Sequence, residues 1–215
     1  MPGDYNPRTS PEARLDSDLA ESVSALKDSF ERRRLPAAFG AAPPERLDQL
    51  RAQLRVPRRY RDFLKKCDPL QCETSTPSER VQLIASAQLL QEQEGFALSG
   101  GQLISAPRDN GWRPSWIVIA HSTLLGDPYF LDVSEPDAEG DCPVYTAMSG
   151  TDRWEPRLCA SSFAMFLRVL AVTMEVARGF HASKLDYEDE FVFREALGPK
   201  IREYDPAALK AGHWT

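Results

Sequence analysis

His121 and Ser122 are adjacent, and Asp127 and Asp132 follow within a dozen residues, in the stretch WIVIAHSTLLGDPYFLDVSE. A serine nucleophile, a histidine base and a carboxylate that orients the base are the parts of a hydrolytic triad, and His121 with Asp127 would be its acid–base pair. That chemistry needs the base within hydrogen-bond reach of the nucleophile, which adjacency along the chain does not provide, and no Gly-x-Ser-x-Gly elbow is present. A hairpin is the plainer account, with Asp127 in the turn and Asp132 at a strand end. Neither carboxylate has a partner that sets up paired acid–base work. Cys67, Cys72, Cys142 and Cys159 suggest a second chemistry, a tetrahedral zinc site. Structural zinc sites bring paired C-x2-4-C knuckles, and the second pair here is too widely spaced. Cys142 and Cys159 read as small hydrophobes, and all four cysteines as thiols kept in a reducing compartment. Neither G-x-x-x-x-G-K-[ST] nor G-x-G-x-x-G occurs to cradle a phosphate. The expectation is a chain with no catalytic residue, metal or cofactor.

The elements that must carry these residues follow from periodicity. Residues 1–16 are polar and proline-rich and read as a flexible leader. Leu15, Leu19, Val23, Leu26 and Phe30 then recur every three or four residues, one stripe of an amphipathic helix that ends at Arg32, Arg33 and Arg34. LPAAFGAAPP reads as a linker, residues 45–54 as a second helix, and VPRRYRDFLKKCDP as a third with Tyr60, Phe63 and Leu64 on its apolar side. VQLI suggests a strand and AQLLQEQEG a helix closing at Gly95. WIVIAH and YFLDVS form a hairpin, SEPDAEGDCP an acidic loop, and PVYTAMS a third strand of the meander. Residues 159–180 make the longest helix, started by a serine cap, and the tail predicts helices over 188–197 and 206–211. The fold class is α+β: a mostly antiparallel sheet meander with helices on one face, an extra N-terminal helix and a C-terminal helical tail. The corresponding units are a leader over 1–16, one domain over 17–180, and a tail over 181–215 packed on the same domain.

No apolar run is long enough for a membrane span and no secretory signal heads the chain, so the expected location is the cytoplasm, with no membrane partner. The net charge of −6 is uneven: residues 1–66 carry 14 Lys/Arg against 10 Asp/Glu, which leaves the remainder at −10. The arginines and lysines of the third helix form a basic face, but the acidic remainder argues against nucleic acid as a partner and for a basic protein.

Three segments together resemble the SUKH superfamily, the group of Smi/Knr-like regulators and bacterial toxin-immunity proteins. They are the helix VPRRYRDFL, the strand–turn–strand IVIAHSTLLGDPYFLDVS, and the strand PVYTAMS followed by the serine-started helix SSFAMFL. The resemblance covers about residues 47–170, and the sequence departs from the family where Cys67, Asp68 and Pro69 replace a common Asn-Gly-Gly turn. It implies a non-catalytic immunity protein that binds and neutralises a cognate toxin, or a regulatory scaffold without one, and in either case no cofactor. Many such toxins are nucleases with basic clefts, which acidic loops would complement. The candidate partner-binding residues are therefore Glu135, Asp137, Glu139 and Asp141 in one loop, Asp186, Glu188, Asp189 and Glu190 near the tail, and the aromatics Trp112 and Tyr129.

Overall fold

The computed structural model describes residues 11–148, 150, 152–180 and 187–215. Its elements are α1 (Pro11–Arg33), β1 (Ala37–Gly40), α2 (Pro44–Gln53), α3 (Arg58–Cys67), β2 (Asp68–Cys72), β3 (Val81–Leu83), β4 (Leu98–Ser99), β5 (Gln102–Leu103), β6 (Trp116–Ser122), β7 (Pro128–Asp132), β8 (Val144–Thr146), β9 (Arg157–Ala160), α4 (Phe163–Val176), α5 (Tyr187–Tyr204) and α6 (Pro206–Ala211). The class is α+β. A five-stranded sheet runs in the order β3-β6-β7-β8-β9 with every pair antiparallel, and two small pairs, β1-β2 and β4-β5, lie outside it.

Helix α4 is apolar nearly all round because it is covered on several sides. It packs against α1, α5 and β9. Ser162 accepts the Met165 N–H as its N-cap, and Asp141 accepts the N–H groups of Phe163 and Ala164 at 2.8 and 3.1 Å, so three of the first turn's unpaired donors are satisfied. The stripe Leu19, Val23, Leu26 and Phe30 of α1 is buried, each side chain contributing about 1.5–3 kcal/mol of transfer free energy. Ser29 Oγ donates to Ala171 O of α4 at 3.3 Å. A left-handed Arg34 at φ 55° ends α1, with Leu35 N–H reaching back to Phe30 O.

Tyr129 and Phe130 show how β7 serves two faces. Tyr129 stacks toward Phe166 of α4 at 5.5 Å, whereas Phe130, on the other side, meets Trp112 at 4.9 Å and Trp116 at 4.8 Å. The second face is therefore covered too, by an aromatic cluster of Phe96, Trp112 and Trp154 carried on irregular chain. Trp116 Nε1 donates to Asp132 Oδ2 at 2.9 Å and ties the two ends of the β6–β7 hairpin together. At the outer side of β6, β3 pairs only with Ala120 to Ser122. Further along, the wholly buried Gln93 takes over: its Oε1 accepts Val118 N–H and its Nε2 donates to Val118 O, both at 2.9 Å.

Five expectations need correction. LPAAFG is not a linker, because Ala37–Gly40 pairs with β2 and Phe39 packs edge-on against Phe30. AQLLQEQEG makes only turns and a single 3-10 turn at Gln91–Gln93, where Gln93 is drawn into the sheet edge. Cys159 belongs to strand β9, and the helix begins at Phe163. Regular structure starts at Pro11, not near residue 16. Helix α5 continues past Leu197 to Tyr204, through Pro199.

Candidate functional site

Adjacent residues on a strand point to opposite faces, and this separates His121 from Ser122. His121 Nε2 lies 3.0 Å from Glu92 Oε2, while Ser122 Oγ donates to Glu79 Oε1 at 2.7 Å and is buried. No triad forms between them. All four cysteines are free, Cys72, Cys142 and Cys159 are buried, and burial pushes the Cys142 thiol up to about 12. No cluster of metal-ligating side chains exists among the described residues.

Glu79, two residues before β3, is where polar groups do converge. Its Oε1 accepts Ser122 Oγ and the Arg80 N–H, each at 2.7 Å, and its Oε2 accepts Tyr129 OH at 3.1 Å. Tyr129 oxygen also lies 3.0 Å from His213 Nε2. Burial lowers the His213 pKa to about 3, helped by Arg194 and Arg157, so the ring is neutral. With Tyr129's one proton directed at Glu79, the Nε2–H tautomer of His213 donates to Tyr129, giving a relay from His213 through Tyr129 to Glu79. Burial raises the Glu79 pKa; the bonds from Ser122, Arg80 and Tyr129 oppose this, and the like charge of Asp127 reinforces it.

Glu79 and His213 line a cleft of about 590 Å³. The β6–β7 turn supplies Leu125 and Asp127, the end of β8 supplies Thr146, the chain just after it supplies Met148, and α5 supplies Arg194. Asp152, Arg153, Glu155 and Arg157 complete the wall ahead of and into β9. Arg194 is held by Glu190 at 3.0 Å and donates to His213 O at 3.2 Å. Trp214 Nε1 donates to Cys159 O at 2.8 Å and fixes His213 against the sheet. Sequence reasoning missed both Glu79 and His213, since they come together only through the tail. The signal was a histidine beside a tryptophan in AGHWT, a chain with three histidines in all.

The acidic loop between β7 and β8 is built by one side chain. Asp137 Oδ1 accepts the N–H of Glu139 at 2.9 Å and of Asp141 at 2.8 Å, a side-chain turn that leaves Glu135 and Asp137 exposed and Glu139 half-buried. The loop rests on α3: Arg58 Nη2 donates to Glu139 O at 3.0 Å, and Arg59 N–H to Gly140 O at 3.3 Å. Three candidates leave the surface. Trp112 and Tyr129 are wholly buried in the aromatic cluster and under α4, and Asp141 is buried as the α4 cap beside Arg59, so none presents a side chain to a partner. Glu188 is exposed, Asp189 and Glu190 are half-buried in the first turn of α5, and Asp186 lies outside the described residues. No described helix is long and apolar enough to cross a membrane.

No curated protein matches the chain. A family model, that of the SMI1 / KNR4 family (SUKH-1), matches residues 41–169.

Proposed function

Because the chain belongs to the SMI1 / KNR4 family (SUKH-1), whose domain is known in toxin-immunity proteins, we propose that it is a non-catalytic immunity protein that binds and neutralises a cognate bacterial toxin in the cytoplasm. The acidic loop inside the matched segment carries this reading. Glu135 and Asp137 face solvent on a loop already fixed by its own turn, so little ordering entropy is lost on binding. Such a loop complements the basic cleft of a nuclease-type domain and speeds encounter with it. The non-catalytic reading agrees with the placement of Ser122, the nucleophile beside His121 in the sequence, which is buried and donates to Glu79. The reading needs no cofactor.

The test pairs protection with kinetics. Co-expression with the toxin encoded by the neighbouring reading frame is expected to restore growth. Neutralising Glu135, Asp137 and Glu139 to Gln, Asn and Gln should slow association roughly tenfold at low salt and flatten its salt dependence. Protection that is absent, or a gene with no toxin neighbour, turns the reading to a regulatory scaffold of the same family. Association indifferent to salt and to the triple variant removes the acidic loop from the interface.

A further inference from the structure

At its N-terminal end helix α3 carries charge against its own dipole. Arg58, Arg59 and Arg61 stand in the first turn with no acid among them, and Pro57 ahead of them supplies no side-chain cap, so three cations crowd the positive end of the helix. Lys65 and Lys66 suit the opposite end, and Arg59 is buried beside Asp141. Over residues 44–67, which span α2 and α3, eight Lys/Arg oppose three Asp/Glu. Arg51, Arg55, Lys65 and Lys66 are exposed and Arg61 is half-buried, and the side chains of all five make neither an ion pair nor a hydrogen bond among the described residues. The fold gains no internal contact from these charges, and at one end of α3 it is opposed by them.

The acidic loop meets this cationic row at the start of α3. Arg58 Nη2 and Arg59 N–H reach Glu139 O and Gly140 O, and a side chain at Gly140 would come within 3.3 Å of Arg58 Cβ. The contact is made through main-chain carbonyls, and no ion pair joins the exposed carboxylates of Glu135 and Asp137 to the arginines. Two fields of opposite sign therefore share a border without cancelling. That border selects the class of partner. A nucleic acid, charged with one sign throughout, would be drawn to the row and repelled by the loop, and it would find no ring to stack on, since Tyr60 and Phe63 are buried and α2 has no aromatic residue. A protein surface can present both signs side by side.

We propose that the exposed face of α2 and α3 docks an acidic patch on the protein partner, beside the basic patch that the loop engages, so that the two fields together fix the orientation of the complex. That the partner is the toxin rests on the immunity reading above; the acidic chemistry of the occupant does not.

Two measurements test it. The isolated chain is titrated with a hexa-aspartate peptide, with matched NaCl as control and an oligothymidylate of equal charge for comparison, while backbone amide resonances are followed by NMR. Saturable shifts over residues 51–66 are expected with the peptide, weakened roughly tenfold in the combined variant Arg51→Gln, Arg55→Gln, Lys65→Gln. Absent shifts in the folded wild type, or shifts unmoved by the variant, overturn the proposal. Tighter binding of the oligothymidylate overturns it in favour of nucleic acid, and shifts of the same residues with protein concentration alone overturn it in favour of a second copy of the chain.

In the second measurement the toxin encoded by the neighbouring frame is bound to the variant Arg51→Glu, Arg55→Glu, Lys65→Glu, all at exposed positions, which takes the net charge from −6 to −12. A toxin that meets only the acidic loop with a basic surface associates faster with this more acidic chain. Docking of an acidic patch on α2 and α3 makes association slower, by roughly tenfold at low salt. Faster or unchanged association overturns the proposal and leaves the immunity reading standing. Should the toxin fail to bind the wild type at all, the immunity reading falls while the peptide titration still decides the chemistry of the face.

Discussion

Two carboxyl groups of this chain respond to pH in opposite directions, and each for a reason visible around it. Burial holds the Glu79 carboxyl above its ordinary value of 4.5, so the folded chain binds that proton more tightly than the unfolded chain does. Its contribution to stability therefore falls as pH rises from 4.5 through the raised folded value, and is level beyond it. Burial would lift Asp132 as well, but hydrogen bonds from the Ser134 hydroxyl and N–H, the Trp116 indole and Ser115 outweigh it and hold the carboxyl below its ordinary range. Its contribution is full above that range and lost as pH falls through the folded value. Urea denaturation of wild type and Glu79→Gln across pH is expected to show a stability difference that changes as pH rises from 4.5 through the raised folded value and is constant beyond it. A difference that stays flat throughout would show that Glu79 titrates alike in the folded and unfolded chain. The strand-end role of Asp132 was legible from an alternating run and a turn. The position of Glu79 was not, because its side-chain partners Ser122 and Tyr129 lie 43 and 50 residues further on, and no local pattern encodes such contacts.

At the scale of elements, what could be read was whatever repeats within a few residues. The stripe of α1, the apolar side of α3 and the β6–β7 hairpin all obey a period of 3.6 or 2, and all formed. The misread elements depend on partners distant in sequence. Strand β1 exists because β2 lies beside it, and β9 because β8 does; in isolation AAFG and RLCA carry little β signal. The acidic loop was seen for its charge, whereas half of its work is mechanical. Asp141 joins the loop to α4 by accepting the N–H groups of Phe163, Ala164 and Cys142, with the Arg59 charge beside it. Asp141→Ala leaves those donors unpaired and a buried guanidinium without its nearby carboxylate, an expected cost of about 2–4 kcal/mol by chemical denaturation. Glu135→Ala, on the exposed side of the same loop, should stay within about 0.5 kcal/mol.

For the molecule as a whole, packing around the family segment extends beyond its bounds. Residues 41–169 include only the first half of α4, and α1 and α5 flank that helix from outside the match. A chain lacking residues 1–34 would present the apolar surface around Ala171 and Met174 to water, and loss of cooperative thermal unfolding with dye binding to exposed apolar surface is the expected result. A sharp, unaltered transition would show that α1 is an accessory. The edge of the main sheet bears on the same scale. Where β3 stops short, Gln93 answers both the N–H and the C=O of Val118 and brings no edge of its own. An incomplete strand is an invitation to recruit a second copy of the chain. Here the invitation is withdrawn by one carboxamide, a buried side chain that already occupies the groups a second strand would need.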